Sequence, residues 1–337
     1  MPQPTVKPQL SMLDLVTVRQ GQSVAGAIET AVRTAQHVEQ LGFTRYWMAE
    51  HHNMPGIASS STAVLIGHVA GQTQRIRVGA GGIMLPNHAP LVVAEAFGTL
   101  EAIYPGRIDL GLGRAPGTDQ PTMRALRRGR METEDDFPRE VQQLQLLLGD
   151  AKPGQPLVAT PGAGSHVPIW LLGSSLFSAQ LAAHLGLPYA FASHFAPRFL
   201  QQAIHMYRDL FQPSKVLDKP HVMVGVPIVA AATDEEAEFL ASSTYQRILG
   251  ILTNQRGLMQ PPVEGFMQSL DASSHRAILD FLAAGVIGGP DTLQQGIQRV
   301  IETTQADEFM VVTDLFDVDA RLQSLTLTAQ ALAALNA

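Results

Sequence analysis

The chain has 337 residues, with 23 Lys and Arg against 30 Asp and Glu, a formal net charge of −7, 16% charged and 45% hydrophobic residues and no cysteine. That composition is too apolar for a disordered chain, too acidic for a nucleic-acid binder, and without the thiols of a disulfide scaffold, a thiolate metal site or a Cys nucleophile. No apolar run approaches the ~20 residues that span a bilayer, and Met1 to Pro8 lack the apolar core of a secretory signal, so a cytoplasmic protein is expected.

After a leader over residues 1–9, Leu10–Val18 reads as a buried strand. Ser23 offers an N-cap, and Val24, Ile28, Ala31, Ala35 and Val38 recur at helical spacing until Gly42. A strand at Arg45–Ala49 precedes a helix over Ser61–Ala70, a strand over Ile76–Leu85 precedes a helix over Val92–Ile103, and Ile108–Leu112 is the fourth strand. Pro168–Leu172 leads into a helix at Ser174–Leu185, Tyr189–Ala192 into one at Pro197–Phe211, and His221–Ala232 into one at Asp234–Leu249. Asp291–Thr303 reads as a helix, Glu308–Thr313 as the eighth strand and Asp319–Leu335 as the last helix. Apolar strands alternating with amphipathic helices predict a parallel sheet covered on its outside, closed as a (β/α)8 TIM barrel. Two stretches richer in Pro, Gly and charge, about 115–165 after strand 4 and 250–288 after strand 7, are expected as insertions on one domain spanning 1–337.

Barrel active sites are built from the loops that follow the strands. Here those loops carry Glu50-His51-His52-Asn53, Gly81-Gly82 with Pro86-Asn87-His88, Gly113-Arg114-Ala115-Pro116-Gly117, Gly173-Ser174-Ser175 and Ser193-His194. Five successive polar or glycine-rich strand ends predict a ligand site. Adjacent residues on an extended chain point to opposite faces, so His51 and His52 do not share an ion, and no His-x-His or His-Glu-x-x-His occurs; no metal site is expected. His51 is the candidate proton donor or acceptor. Ser174 and Ser175 open a helix, where N–H groups and hydroxyls converge on an anion, and Arg114 is the natural counter-charge for the same phosphate. Gly111 to Gly117 has the wrong spacing for a dinucleotide fingerprint, and Pro116 interrupts it. Gly81-Gly82 serves either close approach to a flat ligand, an unusual peptide geometry, or a bulge at the barrel rim. Arg124, Arg127, Arg128 and Arg130, followed by Glu132, Glu134, Asp135 and Asp136, read as a solvated helix face rather than a docking patch. Leu258, Met259, Phe266, Met123 and Phe137 in the two insertions predict an apolar substrate pocket.

The segments Trp47-Met-Ala-Glu-His-His52, Val78-Gly-Ala-Gly-Gly-Ile-Met-Leu-Pro86, Gly106-Arg-Ile-Asp-Leu-Gly-Leu-Gly-Arg114, Trp170-Leu-Leu-Gly-Ser-Ser175 and Gly289-Pro-Asp-Thr-Leu293 together resemble the bacterial luciferase-like flavin monooxygenases over nearly the whole chain. The resemblance implies a (β/α)8 barrel that takes reduced FMN from a separate NAD(P)H-dependent flavin reductase and uses O2 to oxygenate an organic substrate through a peroxyflavin. By position, His51 matches the histidine that assists this chemistry, and Glu50 matches an acidic neighbour of the flavin. Gly81-Gly82 matches a non-prolyl cis peptide beneath the ring, and Arg114, Gly173, Ser174 and Ser175 match the phosphate loop. A homodimer is implied by the same resemblance. Gly113 stands where the light-emitting chain has a cysteine, which removes the case for bioluminescence. An F420-dependent oxidoreductase on the same fold and a flavin-binding protein without turnover are the alternatives.

Overall fold

The computed structural model describes residues 7–115, 118–127 and 136–335. The first residues of the leader, Pro116 and Gly117, and Arg128, Arg130, Glu132, Glu134 and Asp135 of the charged run lie outside those residues. In chain order the elements are β1 (Gln9–Asp14), α1 (Val24–Gln40), β2 (Arg45–Met48), α2 (Thr62–Gly71), β3 (Arg77–Met84), α3 (Pro90–Ile103), β4 (Ile108–Gly113), α4 (Gln120–Arg127) and α5 (Asp136–Leu148). They continue with β5 (Ile169–Gly173), α6 (Leu176–Leu185), β6 (Tyr189–Phe191), α7 (Leu200–Leu210), β7 (Val222–Ala230), α8 (Asp234–Leu252), α9 (Ala272–Phe281), β8 (Val286–Gly288), α10 (Pro290–Thr304), β9 (Glu308–Val312) and α11 (Val318–Leu335).

Eight of these strands close a parallel barrel in the order β1-β2-β3-β4-β5-β6-β7-β9, β9 pairing with both β7 and β1. The chain forms a (β/α)8 TIM barrel, as the alternation of strand and helix predicts. One short strand was not foreseen: β8 lies inside the stretch expected as the second insertion. It pairs with Ile228–Ala230 of β7, beyond the Met223–Pro227 segment that pairs with β9. Three residues are too few to show a period of two. The first expected insertion is also partly barrel wall, since Val141, Leu144, Leu147 and Leu148 of α5 are buried in the main core.

The N-terminal end of the barrel is plugged by charge. Arg45 opens β2 and bridges Asp109 Oδ2 on β4 at 2.9 Å and Glu308 Oε1 on β9 at 2.7 Å. Arg77 on β3 holds the other oxygen of Asp109 at 2.6 Å, Trp47 Nε1 donates to Asp109, and Ser11 on β1 donates to Glu308. The Arg45 guanidinium lies 4.6 Å over the ring of Trp170 on β5. Both carboxylates are wholly buried, so the network satisfies charge that the interior would otherwise strongly disfavour. A second buried pair, Asp14 with Arg321 at 3.0 Å, and Tyr46 donating to the same carboxylate, ties α11 to β1.

Candidate active site

A cavity of about 760 Å3 opens at the C-terminal end of the barrel. Its floor is apolar, formed by Leu13, Trp47, Leu172, Met223 and Met310. Its mouth is framed by residues 54–58 and 255–260, stitched to the chain after β1 by Val18 N to Gly56 O, Met259 N to Val18 O and Gln20 N to Met259 O.

Strand pleat decides which residues reach this cavity. Trp47, Ala49 and His51 alternate inward from β2, whereas Glu50 and His52 fall on the other side. Asn53 then takes a left-handed φ of 55°, which asparagine tolerates, and turns the chain away. His51 is therefore in the cavity wall and Glu50 is not. The Glu50 carboxylate accepts from His52 Nε2 at 2.7 Å, His88 Nε2 at 2.8 Å and Met84 N at 3.1 Å. Burial pushes its pKa up, but the hydrogen bonds and charge of His88, then those of His52 and Met84 N–H, outweigh burial and hold it below the usual range. Glu50, expected beside the cofactor, is not part of the cavity lining, and its carboxylate holds Met84 N–H and His88 after β3. Glu50, His52 and His88 are also the one group among the described residues with ligand atoms close enough, within 4.8 Å, for a metal ion.

The Gly81-Gly82 peptide is cis. The absence of side chains here is required by the barrel itself, since a Cβ on Gly82 would lie 2.2 Å from Leu172 Cδ1 and 2.6 Å from Gly111 O, and one on Gly81 would lie 2.7 Å from Leu13 Cδ1. Both glycines line the cavity. Arg114, directly after β4, lies 4.2 Å over the ring of Phe177 in the first turn of α6, next to Ser174 and Ser175. Ser175 heads α6 without using its side chain as a cap, so its hydroxyl and the α6 N–H groups remain for an anion. A Cβ on Gly173 would lie 2.3 Å from Ser178 Oγ, which is what lets Ser178 donate to Ser175 O at 2.9 Å and fix the loop.

The structure thus brings His51, Gly81, Gly82, Arg114, Gly173, Ser174 and Ser175 into one cavity wall. Leu258, Met259 and Phe137 join them, while Phe266 packs in a separate cluster and Met123 is not part of the lining.

The sequence profile of the luciferase-like monooxygenases matches residues 9–307. The chain belongs to that family. A luciferase-like monooxygenase of Escherichia coli K12 is 47% identical over 317 residues, 94% of this chain and 95% of that protein. Among solved structures, apo-MsnO8 superposes with a TM-score of 0.86 at 32% identity, covering 97% of this chain and 98% of that one. The oxygenating constituent of 3,6-diketocamphane monooxygenase from Pseudomonas putida, solved in complex with FMN, has a TM-score of 0.73 at 18% identity, with 97% and 98% covered, and so shares the fold.

The polar wall also holds His194, which the sequence placed at a strand end without a specific role, and Arg247 and Asp314, which it did not single out. Continuing the inward phase past each strand end finds two of them. Ala190 and Ala192 lead to His194, and Met310 and Val312 lead to Asp314. On α8, Thr244, Arg247, Ile248 and Ile251 line the cavity at helical spacing, so a lone arginine in an otherwise uncharged stripe was the signal for the third. Burial, then the charge of Arg247 and the proximity of His51, lowers the pKa of His194 to about 4, so its ring is neutral at neutral pH.

Proposed function

We propose that this chain is an FMN-dependent monooxygenase of the two-component type, receiving reduced FMN from a separate NAD(P)H-dependent reductase and oxygenating a small, largely apolar organic molecule with O2. The observation that carries the reading is the placement of Arg114, Ser174 and Ser175 on one side of a single cavity whose floor is apolar and whose wall holds His51. These residues fit FMN by the chemistry of their donors: a guanidinium, two hydroxyls and a helix N-terminus suit a phosphate monoester. The side-chain-free Gly81-Gly82 stretch, with Trp47 and Leu172 beside it in the lining, leaves room for a tricyclic ring.

Bound reduced FMN would supply the electrons that activate O2. Arg114 and the α6 N-terminus would hold its phosphate, and the apolar Leu13, Leu172, Met223 and Met310 would keep water from the floor of the cavity. His51 exchanges a proton through its imidazole in the cavity wall, a role worth about 10²–10⁴-fold in rate. Glu50 acts indirectly, holding the Met84 N–H and with it the backbone that follows Gly81-Gly82. Retention of His51 with Arg114 supports turnover over a flavin carrier, and a homodimer in the cytoplasm is the assembly and place we infer.

Equilibrium titration with FMN, riboflavin and F420 tests this reading. FMN is expected to bind tightest, riboflavin about tenfold or more weaker for want of the phosphate, and the difference should shrink in Arg114→Ala. Preference for F420 would replace the reading with a hydride-transferring oxidoreductase.

A further inference from the structure

The cavity wall away from the phosphate loop carries a second cationic position. Arg247 lies on the α8 face that lines the cavity, with its Nη1 3.0 Å from Asp314 Oδ2 and 21% of its side chain exposed. That contact is the one partner it has among the described residues, and its Nε is buried with none. Asp314 is equally incomplete: Oδ2 also accepts from Thr17 Oγ1 at 3.1 Å, while Oδ1 is buried without a partner. Buried polar atoms are nearly always paired in a folded protein, so the unpaired Arg247 Nε and Asp314 Oδ1 set this part of the cavity wall apart.

Charge narrows the ligand. The cavity is lined by Arg114, Arg247 and Arg256 against Asp314 alone, an inversion of sign within a chain of net charge −7. On the wall away from the phosphate loop the charged lining is Arg247 and Arg256 against Asp314, so that side of the cavity is cationic by one charge. Topology keeps the two positions apart: Arg114 and the serines follow β4 and β5, whereas Arg247 and Asp314 follow β7 and β9, across the barrel mouth. His194, at the end of β6 between them, is neutral, its Nδ1 edge turned against Gly225, so it adds no competing charge. The exposed part of the Arg247 guanidinium, which Asp314 engages at Nη1, can offer its outward donors to the two oxygens of a carboxylate.

We propose that Arg247, held in place by Asp314, binds the carboxylate of the organic substrate, and that Arg256 at the cavity mouth attracts it. The substrate is then a monocarboxylate on an apolar body that lies against Ile248, Ile251, Leu258 and Met259. This rests on the monooxygenase reading of the same cavity.

Calorimetric titration of the purified protein, with and without oxidised FMN, tests the assignment using 4-phenylbutanoate, 4-phenylbutanamide and 3-phenylpropane-1-sulfonate. The carboxylate is expected to bind about tenfold or more tighter than its neutral amide, and Arg247→Met should remove that difference. Arg247→Lys, which keeps the charge without the fork, should retain part of it, and it serves where Arg247→Met fails to fold. Arg256→Met should weaken the carboxylate by a smaller, salt-sensitive factor. FMN affinity should be unchanged in all three variants. Equal binding of carboxylate and amide, or an Arg247 variant that keeps the full contrast, would overturn the proposal, as would a sulfonate that binds about tenfold tighter than the carboxylate. Loss of FMN binding in the wild type strikes the monooxygenase reading and leaves the probe contrast readable.

Discussion

Arg45→Met separates the charge plug from the site. The substitution leaves an apolar side chain of similar reach beside Trp170 but removes the cation shared by Asp109 and Glu308, both fully buried. Breaking a buried ion pair by deleting one partner typically costs about 3–5 kcal/mol. Asp109 keeps Arg77 at 2.6 Å and the Trp47 N–H, so its loss is the smaller one. Glu308 keeps the Ser11 hydroxyl and a 3.4 Å contact with His221, neither of which replaces a guanidinium. Unfolding entropy of about 2 cal/mol/K per residue amounts to about 0.7 kcal/mol per degree over 337 residues, so the variant should melt about 4–7 °C below the wild type by calorimetry at neutral pH. The deficit should narrow as the pH falls toward about 5, because Glu308 without its cation takes up a proton readily and a neutral carboxyl no longer needs the pair. FMN affinity should not change, since the plug lies at the opposite end of the barrel from the cavity. A variant that melts within about a degree of wild type, or whose deficit widens on mild acidification, would refute the reasoning.

The wild type should lose stability steeply in acid. Asp14, Glu50 and Glu308 are each held below their ordinary pKa, against burial that would raise it, by Arg321, by His88 and His52, and by His221 and Arg45 respectively. A depressed carboxyl contributes stability that is intact above the unfolded pKa of about 4 and lost as pH falls through the folded value, so the Tm is expected to be flat from about pH 7 to 5 and to drop below about 4. Gly82→Ala should cost about 1–3 kcal/mol, because its Cβ meets the rigid carbonyl of Gly111 as well as Leu172, and should weaken FMN along with stability; thermal melts and flavin titration check both. Glu50→Gln should leave FMN affinity within about threefold while lowering the Tm, because the carboxylate holds His52, His88 and Met84 N rather than facing the cavity; a loss of about a hundredfold in affinity would instead put Glu50 in contact with the flavin.

The barrel was legible because apolar strands alternate with helices along the chain, and the strand ends announced themselves by glycine, serine and histidine among apolar neighbours. Strand phase was the part left unread. Trp47, Ala49 and His51 line the cavity in alternation and Glu50 does not, a difference the family match alone leaves out. The same phase leads from Met310 and Val312 to Asp314. Arg247 was hidden differently: it belongs to a helix expected only to cover the barrel, and α8 runs to Leu252, far enough to turn one face over the mouth. Strand β8 was lost to its length. The contacts that hold Glu50 join residues 34 and 38 apart in sequence to one carboxylate, and no local pattern encodes that.

The central claim is tested most directly by anaerobic titration of the protein with reduced FMN followed by a pulse of oxygen, recording the return of the oxidised flavin absorbance. The protein should bind the reduced cofactor and hold it against the rapid reoxidation of free flavin. Arg114→Ala should weaken binding about tenfold or more, and His51→Ala should bind reduced FMN normally but return the oxidised flavin with an altered rate and pH dependence. Failure to bind reduced FMN, or reoxidation in the wild type indistinguishable from that of free flavin, would contradict the assignment.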